Sequence, residues 1–197
     1  MRFRIVILPI AAAILVTLCA YRFSRPPKPR SIPPPTFKRP APLFELYDQK
    51  KPSKLVRLES YVGRHQILVV FFDGTAGVEQ DPVLRRLRQN FENIKATGTI
   101  VLAVSTALPQ ENRPQKKREG DLPQKNRNVG VFPFPLLSDP GLDVQRNWGR
   151  LDEPLNKPLT GVFLIDRAGL VGWSQPADAP EPTPHPERVI DHLIQGH

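Results

Sequence analysis

Sulfur is almost missing from this chain: one cysteine, Cys19, and one methionine stand among 197 residues. A lone cysteine cannot close an intrachain disulfide, and no cysteine cluster exists to hold zinc or an iron–sulfur centre. Histidine is scarce as well. His65, His185, His192 and His197 show no metal-ligand spacing, and three of them fall near the C-terminus. His192 is expected to face solvent on the last helix. No glycine-rich phosphate loop and no Gly-x-Ser-x-Gly elbow occurs. The acidic pairs Asp139 and Asp143, and Asp152 and Glu153, sit in turn sequences, where turn formation and helix capping account for them. Proline and positive charge, by contrast, are plentiful. The 24 prolines are about twice ordinary usage and are clustered, and the net charge is +9. Such a charge favours anionic partners, lipid head groups or nucleic acid among them.

The N-terminus carries the one long apolar run. Arg2 and Arg4 precede Ile5 to Tyr21, an uncharged stretch of 17 residues. That length is at the lower limit for a membrane-spanning helix. Cleavage after Ala20 would put Leu18 at the −3 position, where a small residue is needed. Leu18 also precedes Cys19, which argues against a lipidated cysteine. Residues 1–21 are therefore expected to form an uncleaved, single-pass anchor, meeting membrane lipid through residues 5–21. The topology stays open. Arg22, Arg25, Lys28 and Arg30 outnumber Arg2 and Arg4 and place the following domain on the cytoplasmic side, whereas short anchors of this shape often lead to export. Residues 22–40, rich in proline and positive charge, read as a semi-rigid spacer, because proline fixes φ and removes the amide donor. Its cations could lie along an anionic membrane surface.

From Ala41 to the end the pattern is that of one α/β domain, residues 41–197. Ile67 to Phe72 is a continuous β-branched and aromatic run, as expected for a strand buried on both faces. Gln80 to Lys95 has apolar residues at Val83, Leu84, Leu87, Phe91 and Ile94, a helical spacing, with Arg85, Arg86 and Arg88 opposite. Thr99 to Val104 is a second buried strand. Strand, helix, strand in this order predicts a right-handed unit with parallel strands. Thr106 to Val131 has no hydrophobic period and carries six Lys/Arg, so a mobile surface insertion is expected near 107–130. No aromatic residue interleaves with those cations to stack bases, and three acids dilute them, which argues against nucleic acid. Asp143 to Trp148 suggests a short helix, and Gly161 to Ile165 a third buried strand. Asp166 to Gly169 reads as a hairpin turn leading to Leu170 to Trp173, and Glu187 to Ile194 as a last amphipathic helix. Phe71, Phe72 and Phe163 are expected in the core.

Three stretches carry a resemblance: APLFELYDQ at 41–49, FPFPLLSDPGLDVQRNWGRLDE at 132–153, and GVFLIDRAGLV at 161–171. Over about residues 41–195 the chain resembles the alkyl hydroperoxide reductase C/thiol-specific antioxidant family, the peroxiredoxins, particularly the bacterioferritin-comigratory type. Trp148 stands where that pattern usually has tyrosine. The resemblance implies a thioredoxin-like α/β fold, a central mixed sheet flanked by helices, here preceded by one N-terminal transmembrane helix. It also implies a place for chemistry: a P-x-x-x-T-x-x-C segment after the first buried strand, whose thiolate attacks the peroxide O–O bond. A helix N-terminus and an arginine lower the pKa of that thiol. The corresponding residues are Phe72-Asp73-Gly74-Thr75-Ala76-Gly77-Val78-Glu79. Thr75 matches the threonine, Val78 takes the place of the cysteine, and the proline is absent. The arginine expected three residues before Phe163 is Thr160.

Thr75, Val78 and Thr160 are thus vestigial positions, no catalytic residue remains, and no cofactor or metal is implied. Thr75 has no adjacent base and is a poor nucleophile toward peroxide. The expected function is a membrane-tethered, non-catalytic peroxiredoxin-like module that binds a protein or small ligand, with a homodimer as a second kind of partner. One alternative is a thiol-dependent peroxidase of the same family. Another is a scaffold that presents the basic insertion.

Overall fold

The computed structural model of the chain describes residues 32–74, 77–113, 132–176 and 184–195. The apolar run 5–21, most of the spacer, Thr75 and the centre of the basic insertion lie outside these residues. Among the described residues no helix is long and apolar enough to cross a membrane.

The strands are β1 (Glu45–Asp48), β2 (Leu55–Arg57), β3 (Ile67–Phe71), β4 (Ile100–Ser105), β5 (Leu136–Ser138), β6 (Leu151–Asp152), β7 (Lys157–Pro158), β8 (Gly161–Ile165) and β9 (Val171–Pro176). Seven of them form one mixed sheet in the order β2-β1-β5-β4-β3-β8-β9, and β6 pairs separately with β7. The centre of the sheet is parallel, β3 with β4 and β4 with β5, and the outer pairs are antiparallel. The helices are α1 (Pro82–Gln89), α2 (Phe91–Ala96), α3 (Asp143–Asn147) and α4 (Arg188–Gln195). The β3–α1–α2–β4 crossover is the unit expected from the hydrophobic pattern.

The sheet has a core on each side, which is why its central strands read as unbroken apolar runs rather than alternating ones. On the first face Leu68, Val70, Phe72, Val162 and Leu164 pack with Val83, Leu84 and Leu87 of α1, Ile94 of α2, and Val189 and Leu193 of α4. On the second face Ile67, Val69, Phe71, Phe163 and Ile165 pack with Phe44, Val144 and Trp148. Trp148 is fully buried, and its Nε1–H donates to the Pro42 carbonyl at 3.1 Å. Its ring meets Phe71 at 5.4 Å and Phe163 at 5.1 Å between centroids. An indole with a satisfied N–H therefore fills this core.

The helix expected over Gln80 to Lys95 is two helices, broken at Asn90. The Asn90 side-chain amide donates to the Arg86 carbonyl at 3.0 Å, a local bond of the kind that competes with helix continuation. The start is later than expected because Asp81 caps it and Pro82 occupies its first turn, where a missing N–H costs nothing. Short β2 and the β6–β7 hairpin had no periodic signal.

The folded part begins ahead of Ala41. The Lys38 N–H donates to the Val171 carbonyl at 2.8 Å, the Val171 N–H to Arg39 at 2.9 Å, and the Ala41 N–H to Gly169 at 2.9 Å. The end of the proline-rich spacer thus uses its few amides to pair along β9. Earlier still, Gly149 has φ +61, and a methyl group there would collide with the backbone of Ile32, Pro33 and Pro34. Glycine at 149 meets both demands, a left-handed conformation and a close backbone approach.

Candidate functional site

Val78 and Thr160, two of the residues singled out from sequence, lie near the carboxyl end of the parallel strand β3. At such ends loops must turn away from the sheet, and ligand sites of α/β folds form there. The Phe72 N–H extends the β3–β4 ladder by bonding to the Val104 carbonyl at 3.0 Å. The chain then leaves the sheet through Asp73 and Gly74. Gly74 and Gly77 have φ +69 and +84, and the Gly77 N–H closes a turn onto the Gly74 carbonyl at 2.9 Å. Both positions require the left-handed region that glycine enters without steric cost. Thr75 and Ala76, between them, lie outside the described residues.

Val78 is 5% exposed and packs in the first-face core with Leu68, Val70, Phe72 and Val83. Its position is in a turn ahead of α1, four residues before Pro82. The side chain that the family resemblance sets in place of the nucleophile is therefore a piece of core. Asp81 holds the helix that follows: its Oδ1 accepts from the Val83 and Leu84 N–H groups, each at 2.9 Å. Burial pushes the Asp81 carboxyl above the ordinary aspartate value, opposed by the N–H groups of Leu84, Gly74 and Val83 that favour its charged form. Next to Val78, Glu79 pairs with Arg88 at 3.4 Å, and the Arg88 guanidinium lies over the Phe132 ring at 5.2 Å.

Thr160 is half-buried at the start of β8, and its carbonyl accepts from Nη1 of Arg150 at 3.2 Å. Arg150, 2% exposed, brings a cation to this strand from a different element, the turn after α3, which sequence reasoning missed. Its guanidinium lies 6.0 Å from the Phe163 ring centroid, and its Cδ fills the space where a Gly161 side chain would stand. Strand alternation decides what this means. Gly161 and Phe163 point to the second face, while Val162 points to the first, the face of Val78. Arg150 is thus across the sheet from Val78 and cannot act as its activating cation. Thr160 shares the parity of Val162, so an arginine there would have pointed to the correct face.

A second missed feature borders the same loop. Asn112 is fully buried; its Oδ1 accepts from Ser105 Oγ at 2.9 Å and its Nδ2 donates to Ser138 Oγ at 2.9 Å. Those serines end β4 and β5, and a methyl group at Gly74 would lie 3.5 Å from Ser105 Cβ. The insertion expected to be mobile from Thr106 is therefore tied to the sheet at its start. Arg113 reinforces the tie through Nε to the Gln49 carbonyl at 2.8 Å. Asp139 accepts from the Gln145 N–H in the first turn of α3 at 2.8 Å, and burial raises its pKa. Glu153 pairs with Arg146 at 2.9 Å, and Asp152 accepts from Leu155 in a turn. Asp139 and Asp152 thus bond backbone N–H groups as expected of helix-start and turn residues, whereas Glu153 and Asp143 pair with Arg146 instead. His192 is half-buried on α4 rather than open to solvent. Among the described residues no group of His, Cys, Asp and Glu could hold a metal ion.

The sheet order, the crossover and a loop at the end of β3 define a thioredoxin-like domain of the peroxiredoxin type. A family model described as the AhpC/TSA family matches residues 37–174, and the chain belongs to that family. Peroxiredoxin TSA1 of Saccharomyces cerevisiae is 25% identical over 137 residues, covering 70% of this chain and 64% of that protein. The chloroplastic peroxiredoxin Q of Oryza sativa subsp. japonica is 28% identical over 137 residues, covering 68% and 55%. The chain spans less than two thirds of the length of these relatives. Among solved structures, peroxidoxin BcpB from Mycobacterium tuberculosis matches with TM-score 0.64 at 19% identity, covering 83% of this chain and 99% of that one. AhpC of Mycobacterium bovis matches with TM-score 0.64 at 15% identity, covering 83% and 94%. Those two likenesses concern the fold.

Proposed function

We propose that this chain is a peroxiredoxin-fold binding module that does not reduce peroxides and is held at a membrane by residues 5–21. One observation carries the reading. The position of the nucleophile is Val78, an aliphatic side chain in the apolar core, and the only sulfhydryl in the chain is Cys19. Valine has no lone pair to attack an O–O bond, and no electron pair leaves it as a peroxide is reduced. The missing cation supports the same reading, since Arg150 stands across the sheet and Thr160 replaces the arginine. Gly74 and Gly77 mark the strand-end loop beside which a ligand or protein segment would bind, and the buried Ser105–Asn112–Ser138 network supports that end of the sheet from within.

The names of the relatives favour a second reading, a thiol-dependent peroxidase. Peroxide consumption by the full chain with a thiol reductant separates the two. The binding-module reading expects no turnover above buffer. Protein-dependent turnover that disappears on Thr75→Val would establish the peroxidase.

A further inference from the structure

Three segments meet at the end of the sheet away from the Val78 loop. The spacer end, 36–41, pairs along the start of β9. The loop ahead of β3, 61–66, touches the β8–β9 turn, where the Gly63 N–H donates to the Arg167 carbonyl at 2.8 Å and a Gly169 methyl would lie 3.2 Å from Val62. Lys38, Arg39, Arg64 and Arg167 project from these segments, and all four are exposed. None of them makes an ion pair with another described residue. The single carboxylate of the three segments is Asp166, and its Oδ1 already accepts from the Leu170 N–H at 2.9 Å. Beside the cations Phe37 is 63% exposed, with Lys38 Nζ 5.3 Å from its ring centroid.

We infer that this end of the domain docks on an anionic lipid surface, with the Lys38, Arg39, Arg64 and Arg167 cations against head groups and Phe37 at the interface. Unopposed cations are attracted by such a surface, each strengthening association roughly fivefold. An exposed aromatic ring beside them sits well at head-group level. The inference deepens the membrane-tethered reading and uses it for one point, reach. Ten residues separate Tyr21 from Ile32, and a chain of that length spans at most about 35 Å. A tethered domain therefore stays within reach of the surface. Docking by this end also sets an orientation. β3 starts at the basic end and finishes at the Gly74 loop, so the Val78 side would stand about 17 Å further from the lipid and face the aqueous phase.

Hydrogen exchange of the full chain in nanodiscs tests this, with phosphatidylcholine alone compared with phosphatidylcholine plus phosphatidylglycerol. Amides in 36–41, 62–66 and 166–170 are expected to exchange at least about fivefold more slowly in the anionic discs. High salt and the double variant Arg64→Glu/Arg167→Glu should abolish the difference, while Arg64→Lys/Arg167→Lys keeps it. Circular dichroism checks that the variants fold. Equal exchange in the two disc types overturns the inference, as does protection by RNA in place of lipid. If the chain enters neither disc, the tethered reading fails by itself, and preformed anionic vesicles offered to the free chain decide the docking by the same protection pattern.

Discussion

Putting sulfur back at Val78 isolates what the position lacks besides sulfur. Val78→Cys removes about one carbon's worth of packing from a site 5% exposed, at a cost of about 1 kcal/mol. The domain should stay folded, with a small drop in thermal midpoint. Its new thiol, however, sits among Leu68, Val70 and Phe72, and Arg88, whose guanidinium lies over Phe132 of the same core, is already paired with Glu79. A free thiol of ordinary pKa, about 8.5, is only a few per cent thiolate at neutral pH, and burial in an apolar cluster reduces that fraction further. The turn holding Val78 also precedes α1, whose N-terminal amides are already bonded to Asp81. The single variant should therefore consume hydrogen peroxide slowly at neutral pH and react with iodoacetamide more slowly than a surface thiol does. Adding Thr160→Arg places a guanidinium on the Val78 face by strand alternation. One pKa unit of stabilisation, about 1.4 kcal/mol, multiplies the thiolate fraction about tenfold. Alkylation rates of the single and double variants across pH measure this directly. A single variant as reactive at neutral pH as the double one would refute the argument that the missing cation and the burial matter.

Two stability measurements probe the frame around that loop. Asn112→Ala leaves the Ser105 and Ser138 hydroxyls without their buried partner and should cost about 2–3 kcal/mol in urea unfolding; an effect within 0.5 kcal/mol, roughly the surface-site range, would mean that the tie is not structural. For Asp81, the folded-state pKa is raised, so the folded state holds its proton to higher pH than the unfolded chain. The sign follows: this group's contribution is complete at low pH and falls as pH rises through the unfolded and then the folded pKa. Asp81→Asn keeps a capping oxygen without the charge, so its stability relative to the parent should improve as pH rises through and above the ordinary aspartate range. A difference that runs the other way would show that the capped N–H groups outweigh burial.

The chain's central features were legible in order because their physics is local or periodic. The runs at Ile67 to Phe72, Thr99 to Val104 and Gly161 to Ile165 are buried on both faces and announce themselves as unbroken apolar strands. The Asp166 to Gly169 turn and the glycines of the Gly74–Gly77 loop encode backbone conformation in residue type. The absence of sulfur after β3 is likewise a fact of the sequence, and the proposal of a domain that does not reduce peroxides starts from it. What tertiary structure decided was everything set by long-range contact. Asn112 looks like one more polar residue in a basic loop, and only the approach of β4 to β5 makes it a buried link. Arg150 looks like a surface cation, yet it lies under β8 on the face away from Val78. Lys38, Arg39, Arg64 and Arg167 are scattered along the chain, and their assembly at one end of the sheet follows from β9 pairing with the spacer. Side-chain chemistry is carried by the sequence position by position, whereas the face and the neighbours of each group are set by strand register and chain crossing.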